Sequence, residues 1–83
     1  MRVEDFEELL KARPFRRFKV HFSNGTSIVV EHPETVYPKR SRFEHHTQIG
    51  TDEKAIEQVH HYSYLHVVCV EILAAKGKRV NLN

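Results

Sequence analysis

The sequence predicts an α+β fold in which an N-terminal helix packs on a small, strongly bent antiparallel sheet of about five strands. Three observations support this prediction. Apolar residues recur at helical spacing near the start, an Asn-Gly pair separates two β-like runs, and later residues alternate with a period of two. A chain of 83 residues makes one domain, which we place at residues 1–73, followed by a flexible tail over residues 74–83.

The first predicted element is a short helix. Four apolar residues fall on one face at helical spacing: Val3, Phe6, Leu9 and Leu10. Pro14 then prevents the helix from continuing, because proline lacks the backbone N–H that a helix interior requires. A helix this short is stable only when its apolar face packs on other elements, so we expect it to cover the mouth or the open edge of the sheet.

The segment FKVHFSNGTSIVVEH predicts a β-hairpin. Apolar and polar side chains alternate before Asn24-Gly25, and an apolar run follows the pair. Asn-Gly is favoured in a two-residue type I′ turn, because both central residues of that turn require positive φ. His32-Pro33 ends the second strand, since proline cannot donate to a sheet ladder, and the residues after it predict a corner with one turn of 3₁₀ helix.

Residues 42–49, RFEHHTQI, alternate in the same way and predict a further strand whose inner face is half polar. The next segment is open to two interpretations. Thr51 or Asp52 could cap a helix with Ile56 and Val59 on one side. The alternative for residues 52–61 is a turn at residues 50–54 followed by a strand, and we favour it because Val59, His61 and the β-rich run behind them continue without a break.

The run LHVVCVEIL predicts the last strand. It is apolar on both faces, which is typical of a strand that is central or covered on both sides. Cys69 lies within this run and is expected to be a small buried thiol. As the single cysteine, it also excludes an internal disulfide framework.

Composition and charge place the chain among ordinary globular proteins, with 40% hydrophobic and 29% charged residues. The net charge of +2 is too small to indicate nucleic-acid binding alone, but residues 14–50 hold six Lys or Arg against three acids. No apolar run approaches the roughly 18 residues of a membrane span. The acidic start also differs from the basic start of a signal peptide, so we expect a cytoplasmic protein without membrane contact.

Two segments resemble a group of small bacterial proteins without known activity. LLKARPFRRFKVHFSNGTSIVVEHPETV resembles the start of that group, with its helix, Pro-Phe-x-x-Phe strand, polar-Gly turn and His-Pro-Glu corner, and YLHVVCVEI is similar to its closing strand. More distantly, the order of a helix, FKVHFSNGTSIVV and HHYSYLHVVCVEI resembles Sm-like barrels of the Hfq kind, which form rings that bind RNA. This resemblance implies an Sm/SH3-like partial barrel, although the Tyr-Lys-His segment of those proteins is not reproduced.

Basic residues from the middle of the chain form the candidate nucleic-acid-binding site. A basic strand face would hold phosphates while a tyrosine stacks on bases. The residues of this candidate site are Arg17, Lys19, His21, Tyr37, Lys39, Arg40 and Arg42. In the alternative interpretation, Glu31 and Glu44 lie across the ladder and make the same residues a charge-balanced, solvated strand face.

The other reactive residues do not indicate catalysis or metal binding. Seven histidines are present, but neighbours at 45–46 and 60–61 lie on opposite faces of a strand, and no CxxC element accompanies them. Cys69 with His66 lacks the exposed, electropositive setting of a catalytic thiol, because valines flank the cysteine. We therefore predict no enzyme activity, no cofactor and no metal site.

The sequence favours a non-catalytic binding module that acts through self-association or a protein partner. A strand that is apolar on both faces must be covered in so small a chain, and association through an open edge or the helix face would cover it. RNA binding by a basic strand face of an Sm-like barrel is the alternative.

Overall fold

The computed structural model describes residues 1–50 and 53–73. These residues form helix α1 (Val3–Lys11) and six strands: β1 (Phe18–Phe22), β2 (Ser27–Val30), β3 (Val36–Pro38), β4 (Arg42–Ile49), β5 (Ile56–Ser63) and β6 (Val67–Ile72). Two 3₁₀ turns, Pro33–Thr35 and Tyr64–His66, link β2 to β3 and β5 to β6. The predicted tail at 74–83 and the predicted cap at 51–52 lie outside the described residues.

The strands form two three-stranded antiparallel sheets, with the orders β2-β1-β6 and β3-β4-β5. The α+β class is therefore confirmed, but one continuous sheet of about five strands is wrong, and neither sheet closes within the described residues. His32-Pro33 explains the division. β2 ends at Val30, the chain turns through Pro33–Thr35, and it resumes as β3 beside β4 instead of continuing beside β1.

Helix α1 joins the two sheets through one aromatic ring. The predicted helix is confirmed, and all four residues of its apolar face lie in the core or pack against it. Phe6 is fully buried and stacks on Phe43 of β4 with ring centroids 4.5 Å apart. Its ring also meets Phe18 of β1 edge-on at 5.9 Å, so one side chain contacts both sheets. Aromatic pairs of this kind contribute beyond the area they bury.

The β1–β2 hairpin is confirmed, but its turn is not the predicted two-residue type I′ turn. The Gly25 N–H donates to the Phe22 carbonyl at 3.0 Å, and the Phe22 N–H donates to the Thr26 carbonyl at 2.9 Å. Only Gly25 in this loop has positive φ, at 87°. This is a three-residue loop in which a type I turn precedes a glycine bulge. The Asn24 Oδ1 instead accepts hydrogen bonds from the backbone N–H and the hydroxyl of Thr26, at 3.0 and 2.6 Å.

The predicted corner, the strand over residues 42–49 and the strand that follows it are confirmed. Pro33–Thr35 forms one 3₁₀ turn, and its Thr35 hydroxyl donates to the His32 carbonyl at 2.7 Å. β4 spans the segment predicted from its alternation. In the ambiguous segment, residues 53–54 form a turn, and the strand after it is confirmed, because Ile56–Ser63 pairs with β4 along its whole length.

β6 is an edge strand and not the covered strand that its apolar pattern predicted. Within the described residues it pairs only with β1. Val67 and Val70 pack against the core, but Val68 is 65% exposed and Cys69 is exposed. The predictions of a strand covered on both sides and of a buried thiol are therefore wrong. An apolar run alone does not distinguish a central strand from an edge strand whose outer face is open.

Candidate functional site

The structure divides the predicted nucleic-acid-binding residues between the two sheets. Three of them lie on β1 or directly before it: Arg17, Lys19 and His21. The other four lie on β3, at the start of β4 and in the turn between these strands, and we call them the basic turn: Tyr37, Lys39, Arg40 and Arg42. The seven residues therefore do not form one continuous strand face.

The outer face of β1 is balanced by acids from both neighbouring strands. Arg17 Nη1 lies 3.4 Å from Glu31 Oε1, and His21 Nε2 lies 3.1 Å from Glu71 Oε1. Lys19 lies directly opposite Glu71 in the β1–β6 ladder. This supports the interpretation of a charge-balanced strand face, with Glu71 in the place that the sequence assigned to Glu44. The sequence did not predict that Glu71 balances this charge, because the alternation of residues within a strand does not show that β1 pairs with the last strand.

The basic turn is the more exposed of the two basic groups. Its backbone closes through a hydrogen bond from the Lys39 N–H to the Arg42 carbonyl at 2.8 Å. Lys39 and Arg40 are exposed, and no carboxylate among the described residues lies within ion-pair distance of either. Tyr37 is 47% exposed, and its ring contacts the His46 ring at 4.6 Å, so part of the ring surface is accessible.

His46 lies between two carboxylates on the outer face of the second sheet. Its Nδ1 is 2.6 Å from Glu57 Oε1 on β5, and its Nε2 is 3.2 Å from Glu44 Oε1 on β4. The hydrogen bond to Glu57 raises the pKa of His46 most, desolvation opposes this, and the bond to Glu44 raises the pKa further. The same bond with His46 lowers the pKa of Glu44. The two hydrogen bonds therefore favour the protonated imidazole and the ionised carboxylates over their neutral forms.

The paired histidines do lie on opposite faces of their strands, as the strand period predicts. His45 is buried on the inner side of β4, whereas His46 joins the carboxylates on the outer side. Within residues 1–50 and 53–73, no three His, Cys, Asp or Glu side chains are arranged to hold a metal ion.

Cys69 differs from its predicted environment because it is exposed, and its neighbour across the ladder is His21. His66, the partner considered from the sequence, instead contacts the Ser23 hydroxyl through Nδ1 at 3.3 Å. The His21 imidazole is already engaged with Glu71. The thiol therefore lies on an open, flat strand face beside an occupied imidazole.

Each sheet has two edge strands, β2 and β6 in the first sheet and β3 and β5 in the second. We call β5 and β6 the open edges, because among the described residues each pairs with one strand only and carries strongly exposed apolar side chains. Every residue of β5 from Ile56 to His61 is exposed. Apolar side chains on the open edges are markedly exposed, with Ile56 at 62%, Val59 at 41%, Val68 at 65% and Ile72 at 42%. Such edges present unpaired backbone N–H and C=O groups together with apolar surface.

Comparison of the chain with protein-family models, curated proteins and solved structures gave no significant match. None of the helices in the described part of the chain is long and apolar enough to cross a membrane. The resemblances to the small bacterial proteins and to Sm-like barrels therefore stay expectations. The features that bear on function are the open edges and the basic turn.

Proposed function

We propose that this protein is a non-catalytic binding module that self-associates by pairing the β5 edge of one copy with the β6 edge of the next. The observation that carries this proposal is the exposure of apolar side chains on both open edges, above all Val68 at 65% and Ile56 at 62%. Strand pairing would satisfy the backbone groups of both edges and remove these side chains from water.

The open edges carry little of the usual protection against strand pairing. Natural edge strands are blunted by lysine, proline, bulges or a covering element. The β5 residues IEQVHHYS and the β6 residues VVCVEI contain neither lysine nor proline. β6 has one bulge, where the register with β1 shifts near Val68, but residues from Cys69 to Ile72 pair regularly with β1. The regular part of β6 therefore remains a template for another strand.

The two open edges are different surfaces of the molecule, because β5 and β6 belong to different sheets. Pairing of β5 with β6 of the next copy is a heterologous contact, which produces a ring when the rotation closes. The Sm-like resemblance agrees with this proposal, because proteins of that kind form rings. The Sm/SH3-like partial barrel itself is part of the proposal, supported by a helix and two sheets that share one core.

The experiment compares lysine substitutions on and off the open edges by sedimentation equilibrium. Val68→Lys and Ile56→Lys are expected to weaken association about tenfold or more each, because full burial of an aliphatic side chain contributes about 1.5–3 kcal/mol. Leu65→Lys is the matched control, since Leu65 is 88% exposed but lies in the 3₁₀ turn between the strands. Equal weakening by the control, or no weakening by the edge variants, would contradict the proposal.

RNA binding is the second candidate function, and the basic turn favours it. Lys39 and Arg40 are exposed beside the accessible Tyr37 ring, so phosphates and a base could be held together. Binding of a mixed-sequence RNA oligonucleotide should then fall with salt and with Lys39→Glu plus Arg40→Glu. Arg17→Glu plus Lys19→Glu should have a smaller effect, because acids already offset that face. Absent or salt-independent binding rejects this candidate and leaves the association proposal unaffected.

A further inference from the structure

A cavity of about 510 Å³ lies where the two sheets separate. The β3–β4 ladder ends at the pair Val36 and His45, whereas β4 continues to Ile49. The 3₁₀ turn Pro33–Thr35 lies against β4. The gap left by the His32-Pro33 corner is therefore walled by the end of β2 and the corner on one side and by β4 on the other. Its volume falls within the range of roughly 300–1,000 Å³ found for small-ligand pockets.

Carboxylates and imidazoles line this cavity. Three carboxylates line it, from Glu31, Glu34 and Glu57, and no Lys or Arg is among the lining residues. Each carboxylate has one basic neighbour: Arg17 at 3.4 Å from Glu31, His32 at 3.8 Å from Glu34 and His46 at 2.6 Å from Glu57. A carboxylate has about four acceptor positions, so one contact does not saturate it. The cavity can therefore still accept hydrogen bonds from a cation.

A buried histidine on the wall points independently to a ligand. His45 is only 8% exposed and lines the cavity, and within the described residues no hydrogen bond or ion pair reaches its ring. The ring nitrogens are not closed off from solvent, so a ligand that displaces water there can reach them. Burial lowers the pKa of His45 most, and the neighbouring His60 lowers it further. A neutral imidazole has one nitrogen that accepts a hydrogen bond.

We propose that this cavity binds a compact organic cation with N–H donors, namely an ammonium or guanidinium group. The carboxylates balance its charge, an acceptor nitrogen of His45 receives one N–H, and the Tyr37 ring, which contacts the His46 ring at 4.6 Å, is part of the same wall for a cation–π contact. A bare metal ion fits less well, because no three ligating side chains of the described residues converge on one point. An extended planar or flexible cation can contact groups that are further apart.

The experiment titrates the protein with N-acetyl-arginine amide and follows the His45 ring by NMR. The matched neutral ligand is N-acetyl-citrulline amide, which replaces the guanidinium by an uncharged urea of the same shape. We expect saturable binding of the arginine ligand and at least about tenfold weaker binding of the citrulline ligand, as for the loss of a charge-assisted hydrogen bond. No saturable shift at His45, or equal responses to both ligands, would overturn the proposal.

Single substitutions test whether the cation binds in this cavity. Glu34→Gln should weaken arginine binding by up to about fivefold, the upper range for an exposed ion pair, and its exposure keeps folding unaffected. His45→Phe should abolish the binding, with circular dichroism showing whether the variant folds. Glu8→Gln, an exposed acid on α1, is the control and should not change the affinity. If Glu8→Gln and Glu34→Gln weaken binding equally, the cavity is not the site.

Two further ligands identify the source of the cation. Agmatine carries a guanidinium and an ammonium as a free small molecule, whereas the blocked arginine and the corresponding blocked lysine represent side chains of a protein partner. Tighter binding of agmatine assigns the cavity to a small amine, and tighter binding of a blocked amino acid assigns it to a basic peptide. Glu57 of the β5 edge lines the cavity, whereas no β6 residue does, so these titrations are repeated on Val68→Lys, which should bind the cation normally.

Discussion

Replacing Tyr64 by phenylalanine is expected to stabilise the domain by about 1 kcal/mol, because an unsatisfied buried hydroxyl is removed. Tyr64 is 4% exposed, and its ring packs on Phe6 at 5.7 Å and on Phe43 at 5.6 Å. No group among the described residues hydrogen-bonds its hydroxyl oxygen. Burial raises the pKa of this phenol most, which agrees with an environment that disfavours the charged form.

The expected stabilisation by Tyr64→Phe follows from two opposing effects. An unsatisfied buried polar group costs about 1–3 kcal/mol. The backbone of Lys39 partly offsets this cost, since it lowers the pKa of Tyr64, but its N–H is already donated to the Arg42 carbonyl at 2.8 Å. We therefore take the lower end of the range. For a domain of this size, 1 kcal/mol corresponds to a rise in Tm of about 4–8 °C.

The assay is urea and thermal unfolding at one fixed protein concentration, because association would make the Tm depend on concentration. Tyr62→Phe is the matched control, as the Tyr62 ring stacks on Phe22 at 4.6 Å but its residue is only half-buried. The control should change the free energy of unfolding by less than about 0.5 kcal/mol. Destabilisation by Tyr64→Phe would refute the reasoning, because it would show that the hydroxyl makes a favourable hydrogen bond.

Two further predictions concern the hairpin turn and the carboxylate-bound histidine. Gly25→Val should destabilise the domain by about 1–3 kcal/mol, because Gly25 has a φ of +87° that a β-branched residue adopts only with strain, and an unchanged Tm would contradict the turn. Glu57→Gln should destabilise the domain more below pH 6.5 than at pH 8. The pKa of His46 is raised above 6.5 in the folded state, so its stabilisation is fully present below that value and is lost as the pH rises through the folded pKa. Urea unfolding of both proteins between pH 6 and pH 8 tests this pH dependence. A destabilisation by Glu57→Gln that is the same at all these pH values would contradict it.

Local pattern predicted the elements of the fold better than their arrangement. The helical spacing around Phe6, the alternation of residues 42–49 and the His32-Pro33 corner each depend on neighbouring residues, and each prediction was confirmed. The division into two sheets depends on which strands pair after the corner, and periodicity contains no information on pairing. The predicted turn type was wrong for a related reason. The Asn24 side chain accepts a hydrogen bond from the Thr26 N–H, and Gly25 is the one residue of this loop with a positive φ.

The candidate site was less predictable, because it depends on register between strands distant in sequence. His46 meets Glu57 only through the β4–β5 pairing, and His21 meets Glu71 only through the β1–β6 pairing. The cavity depends on a corner and a strand end that meet in space. The exposure of Cys69 was missed because a strand rich in valine resembles a buried one whether or not another strand covers it.

The central claim of self-association is tested most directly by sedimentation equilibrium of the unmodified chain over a wide concentration range. Its monomer mass is 9.8 kDa. Pairing of the open edges predicts a mass that rises with concentration to a fixed multiple of this value, and that returns towards the monomer in Val68→Lys. A chain that stays at the monomer mass at every concentration would contradict the proposal.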